Sequence, residues 1–199
     1  MKIMFTCMLA VLAAVRAGAA SPEDDLKAGI DAWNEGDLIG AIGFYETAAD
    51  AGLAEAQFRL AYIRDYSNDD VDAVRLYQAA ADQGYAEAYV GLANMYVKGE
   101  GVEVDERKAV KLYESAADLD HIPALVLLAR YLNAGEIGLA VNVKRAGTLL
   151  IRAAELGDEG AARELIKAYQ EGSYGLQADQ EQAAYWQARL AERQTDNGA

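Results

Sequence analysis

The chain has 199 residues, 53% of them hydrophobic, enough for one folded domain with a real core. Its 32 acidic and 18 basic side chains give a net charge of -14, which opposes binding to nucleic-acid phosphates and to anionic lipid surfaces. Two prolines beside 18 glycines suit an all-α chain of many helices joined by many tight turns.

Residues 1–20 stand apart, carrying none of the 32 acids. After Lys2, Ile3 to Val15 is an apolar run of signal-peptide length, too short for a bilayer span of about 20 residues. Ala17, Gly18 and Ala19 form a small-x-small pattern, so cleavage is expected before Ala20 or Ser21, with export to the periplasm or medium of a bacterial cell. Cys7, the single cysteine, lies in this segment, and Met4, Phe5 and Thr6 before it do not form an acylation box. The mature chain is therefore expected to have no cysteine, no lipid anchor and no stable membrane insertion. Losing Lys2 and Arg16 leaves 16 cations against 32 acids, a net -16.

From residue 21 onward the sequence repeats itself. Ala41, Ala73, Ala109, Ala146 and Ala183 are equivalent, at intervals of 32, 36, 37 and 37 residues. A period in the mid-thirties means stacked helix pairs, here about five, with units near 22–53, 54–85, 86–121, 122–158 and 159–194. In the first helix of each unit Leu60, Leu92, Leu128 and Leu165 mark a buried stripe, with Tyr96 and Tyr169 one turn later. In the second helix the small residues Ala48, Ala80, Ala116 and Ala153 allow close approach within a pair. Phe44, Leu76, Leu112, Leu149 and Trp186 are expected to fill the space against the next unit. Glycine pairs such as Gly99 and Gly101, Gly135 and Gly138, or Gly172 and Gly175 release the first helices; Gly52, Gly84 and Gly157 end second ones. Asp105, Asn142 and Asp179 are placed to cap second helices, Asp179 with Gln182 in capping-box spacing.

At these residues the chain resembles the Sel-1-like repeat family. The unit from Ala86 carries Gly99, Gly101, Val102, Asp105, Lys108 and Ala109 in that family's places, with Ala93 where glycine is usual. Ser67 to Asp70 replaces the long glycine loop, and the first unit is more similar to a tetratricopeptide repeat, through Gly29, Trp33, Gly36, Asp37 and Ala41. The resemblance implies an α-solenoid, a right-handed superhelix used for protein-protein recognition, as in bacterial envelope regulators, assembly factors and secreted effectors. The cysteine-rich members discussed as penicillin binders do not fit, because the mature chain has no cysteine and no serine begins a Ser-x-x-Lys motif.

Residues that carry chemistry are scarce. His121, the one histidine, falls in a turn between units where a solvated side chain is expected, so no nucleophile has an evident base. Zinc would need several histidines or cysteines, and Asp65 to Asp72 lacks calcium-loop spacing. No catalytic residue, metal or cofactor is assigned. The chain reads as an exported scaffold or adaptor binding a protein or peptide in its concave groove. A structural subunit of an envelope or secretion assembly is the competing class, with a hydrolase behind it. An adaptor predicts a polar, variegated inner surface and a structural subunit apolar end faces; the polar tail, Ala191 to Ala199, suits a soluble cap. Nothing in the pattern selects an oligomeric state.

By register the groove-facing positions are Ile30 and Trp33, then Phe58, Tyr62 and Asp65, then Val90, Asn94 and Val97, then Val126, Arg130 and Asn133, then Arg163, Lys167 and Gln170. Partner contacts are assigned to Trp33, Phe58, Tyr62, Asn94, Arg130, Asn133, Arg163, Lys167 and Gln170. The N-terminal half is aromatic and suits hot-spot contacts, although Phe58 and Tyr62 at this spacing could equally pack between units. Arg130, Arg163 and Lys167 suggest a basic spot for an acidic partner segment. The competing arrangement is pairing along one helix face, where Glu159, Arg163, Lys167 and Glu171 follow at four-residue intervals.

Overall fold

A computed structural model describes residues 20–196, so the apolar run, Cys7, the Ala17 to Ala19 pattern and the last three residues of the tail lie outside the described residues. Ten α-helices follow one another: α1 (Pro22–Glu35), α2 (Leu38–Asp50), α3 (Ala54–Tyr66), α4 (Asp70–Ala81), α5 (Ala86–Lys98), α6 (Glu106–Asp118), α7 (Ile122–Ala134), α8 (Val143–Glu155), α9 (Glu159–Glu171) and α10 (Gln180–Asp196). They pair as α1 with α2, α3 with α4, and so on to α9 with α10, each pair packing on the next; no strand occurs among the described residues. This is an all-α solenoid of five antiparallel pairs.

Local chemistry explains where the helices begin. Ser21 and Asp24 form a reciprocal capping box at α1. Asp37, Asp105, Asn142 and Asp179 cap second helices by accepting a backbone N–H three residues on. The first helices α3, α5 and α7 start on Leu53, Tyr85 and His121 with no side-chain cap, and packing of those residues holds them instead.

The core is mostly alanine and leucine. Ala41, Ala73, Ala109 and Ala146, with Ala48, Ala80, Ala116 and Ala153, are wholly buried, as the close approach of paired helices requires. Leu60, Leu92, Leu128 and Leu165 form the expected stripe.

The large residues of the second helices need a correction. The row expected to fill the gap to the next unit, Phe44, Leu76, Leu112, Leu149 and Trp186, is uneven: Leu76 and Trp186 are buried, Leu112 and Leu149 half-buried, and Phe44 is 40% exposed. Trp186 lies beside Ala154 of α8 and Ala162 of α9, so the row faces the preceding unit, and no unit before that of Phe44 lies among the described residues. The space is filled instead by the residue after each, Tyr45, Tyr77, Tyr113 and Leu150, all at 2% exposure or less. Tyr77 packs against Gly91 of the following unit, where even one added methyl would meet its ring.

Loops also join the units. A Cβ on Gly101, at φ +67°, would lie against the Asp70 carbonyl at the start of α4, one unit back. In the fourth and fifth units the loop is one residue longer and sets Ile137 and Tyr174 at φ 46° and 54°, at a cost of about 1–2 kcal/mol each. Both side chains pack onto the core in return. Ion pairs also cross between units: Arg64 with Glu46 at 2.5 Å, Arg145 with Glu114 at 2.7 Å, and Arg152 with Asp120 at 2.5 Å.

Candidate functional site

Because α3 approaches α5 directly, the first helices lie side by side and present one continuous face. Three depressions on this face meet at Tyr62. The first, about 170 Å³, is lined by Trp33, Tyr45, Phe58, Arg59, Tyr62 and Ile63. The second, about 140 Å³, runs from Trp33 and Tyr62 to Leu38, Ile42, Ile63 and Tyr66. The third, about 260 Å³, lies between α3 and α5 and includes Phe58, Tyr62, Asp65, Glu87, Asn94 and His121.

Large apolar surface is exposed here: Tyr62 is 54% accessible, Leu38 53%, Trp33 39% and Tyr66 86%. Contiguous apolar surface of this kind marks a binding face more often than single scattered residues do. Phe58 is half-buried, its ring 5.2 Å from that of Tyr85 and 6.1 Å from that of Tyr77, so it packs between units and also forms the floor of the groove. Asn94 is half-buried and accepts a 2.6 Å hydrogen bond from the Tyr113 hydroxyl, which holds its side chain in place.

The C-terminal assignments lie differently. Arg130 reaches Glu164 at 3.2 Å, and Glu164 also accepts from the Tyr174 hydroxyl, whose pKa is pushed up to about 12 by burial first and that hydrogen bond second. Arg163 pairs with Glu159 at 2.7 Å, and Lys167 lies 4.0 Å from Glu171. Each of the three cations thus has a carboxylate of its own, and none lines the depressions that meet at Tyr62. Asn133 is half-buried and Gln170 exposed.

His121 requires a second correction. It is not a solvated turn residue but the half-buried N-cap of α7. Its Nδ1 is shielded and without a hydrogen-bond partner among the described residues. Burial lowers its pKa, with the charge of Glu87 acting in the opposite direction. The cause is the fold: a turn between stacked pairs is covered by the neighbouring first helix.

Asp65, Glu87 and His121 were not assigned as partner contacts from sequence, although Asp65 stood in the groove register. Tyr66 lies four residues after Tyr62, a same-face spacing that shows it, whereas Ile63, one residue after Tyr62, carries no such signal. Glu87 carries none either. Among the described residues no group of three or more His, Cys, Asp or Glu is placed to hold a metal ion, and no helix is long and apolar enough to cross a membrane.

Comparison with known proteins follows the same pattern. The Sel1 repeat family model matches residues 35–53, 54–85, 86–121, 122–158 and 162–194, leaving most of α1 unmatched. The chain is similar to the crystal structure of a Sel1 repeat protein from Oxalobacter formigenes, with 28% identity and a TM-score of 0.74, over 87% of this chain and 73% of that one. It is also similar to a protective antigen of uropathogenic Escherichia coli strains displaying an SLR fold, with 25% identity and a TM-score of 0.69. That match covers 87% of this chain but 38% of the antigen's length. Among curated proteins the chain has no match.

Proposed function

From the premise that this chain belongs to the Sel1 repeat family, whose members generally mediate protein-protein interactions, we propose that it is an exported interaction scaffold that seats a protein or peptide partner along its first helices. The observation that carries this reading is the exposed aromatic surface at Trp33, Tyr62 and Tyr66, where the depressions meet. Folding alone gives no reason to leave such surface open, and aromatic side chains in partly enclosed sites are typical hot spots. Export is supported by the acid-free apolar run and the small residues at Ala17 and Ala19. An acidic stretch of the partner could be met by Arg130, Arg163 and Lys167, at the expense of the carboxylates they hold now.

The test is a pull-down from bacterial envelope extract with the mature chain. Trp33→Ala with Tyr62→Ala should weaken capture by about 30-fold or more, the loss of one hot spot. Lys111→Ala, on the exposed outer side of α6, should leave capture intact. Loss only in the Lys111 variant would move the site to the outer face. N-terminal sequencing of the envelope-fraction protein should begin at Ala20 or Ser21, and an intact Met1 in the cytoplasm would end the export reading.

One observation favours the competing class. Among the described residues nothing covers the outer side of the first unit, where Ile39 is 87% and Phe44 40% exposed, an apolar end face suited to stacking in an assembly. Light scattering across a concentration series separates the readings, because a stacking subunit grows in mass and an Ile39→Lys with Phe44→Gln variant does not.

A further inference from the structure

Charge is distributed unevenly along the array. Residues 21–53 hold eight carboxylates against Lys27 alone, a net -7, whereas residues 122–158 hold three carboxylates against four cations, a net +1. The exposed aromatic groove therefore lies at the negative end of the molecule.

Within the groove, Asp65 and Glu87 border the depression between α3 and α5. Most nearby carboxylates are matched: Glu46 by Arg64, Glu55 by Arg59, and Asp72 by Arg64 and Arg75. Asp65 and Glu87 have no ion-pair partner among the described residues. Asp65 accepts only a long hydrogen bond, 3.4 Å, from the Tyr77 hydroxyl. Partial burial raises its pKa, and the nearby Lys98 offsets this only in part, its ammonium lying 3.0 Å from Glu100. His121 contributes a shielded imidazole rather than a counter-charge. The depression thus has aromatic walls and two unmatched carboxylates.

We propose that this depression receives lysine or arginine side chains carried on an apolar segment of the protein partner, with the aliphatic stems against Phe58 and Tyr62 and a charged head reaching Asp65, in the last turn of α3, or Glu87, in the first turn of α5. The proposal rests on the groove being the binding face and adds the chemistry of what enters it. A cation there gains charge-assisted hydrogen bonds from carboxylates that lack them, together with attraction to the aromatic faces. Phosphate-rich or acidic segments are repelled from the same place.

The probes are three short synthetic peptides with the same leucine and phenylalanine positions and lysine, serine or glutamate at the remainder, labelled and titrated by fluorescence anisotropy against the folded chain. The lysine peptide should bind about tenfold or more tightly than the serine peptide, and the glutamate peptide not measurably. Asp65→Asn with Glu87→Gln should remove the preference for lysine. Glu103→Gln with Glu106→Gln, two exposed carboxylates outside the depression, should preserve it. Equal binding of the lysine and serine peptides, no binding of the lysine peptide, or the same loss in both double variants would overturn the proposal. Tyr62→Ala separates the two levels. If it weakens peptide binding while the lysine preference is absent, the groove stands and the cation receptor falls; if it changes nothing for any peptide, the groove reading falls as well.

Discussion

Replacing Gly101 with alanine tests whether the loops lock one unit onto the last. Two costs are expected. At φ +67° an L side chain is disfavoured by about 1–2 kcal/mol. In addition the new Cβ would stand 2.4 Å from the Asp70 carbonyl oxygen and 2.5 Å from its carbon, both backbone atoms that cannot rotate away. Forcing such an overlap apart costs about 1–3 kcal/mol, giving a total near 2–5 kcal/mol. Gly84→Ala is the matched control, because Gly84 has φ +81° but no atom within 4 Å of the place its new methyl would take, so only the conformational cost applies. In a domain of this size 1 kcal/mol shifts the melting temperature by roughly 2–4 °C. Circular dichroism melts should therefore show a drop of roughly 2–8 °C for Gly84→Ala and roughly 4–20 °C for Gly101→Ala. Hydrogen exchange should place the extra loss at the start of α4 and in the loop between α5 and α6, where Gly101 meets Asp70, since stacked repeats couple only to their neighbours. Equal melting temperatures for the two variants would show that the loop does not bear on α4 and would refute the reasoning.

Three further outcomes are expected. Tyr113→Phe removes a buried 2.6 Å hydrogen bond to Asn94 and should cost about 1 kcal/mol by denaturant titration; an unchanged midpoint would mean the pair contributes nothing. Trp186→Ala, at a residue 4% exposed, should cost about 3–5 kcal/mol and raise hydrogen exchange in α9 and α10 first, whereas uniform exchange along the chain would contradict a linear array. Burial lowers the pKa of His121, so folded protein binds that proton less readily than unfolded chain, and the stability involved is present above about pH 6.5 and lost on acidification below it. His121→Gln should flatten that part of a melting-temperature profile, and an unaltered slope would show that the imidazole titrates as if exposed.

Much of this molecule is local and therefore legible in one dimension. The alanines from Ala41 to Ala183 set the unit length, and Asp105, Asn142 and Asp179 set helix starts, because a cap or a helical stripe depends only on residues within a turn or two. That Phe58 and Tyr62 share one face of α3 was legible for the same reason: they are one turn apart. What depended on neighbours in space was not. Phe44 occupies the same register as Leu76 yet is exposed, because burial at that position comes from the unit before it and no such unit lies among the described residues. Tyr45, Tyr77 and Tyr113 fill the core one residue later, a difference of one helical step that decides which helix a ring meets. Arg130 finds Glu164, 34 residues away, only once α9 is stacked on α7. Asp65 and Glu87 are ordinary charges among 32 acids until α3 and α5 lie side by side, and that stacking sets them along an aromatic groove with no ion pair, the nearby Lys98 being held by Glu100.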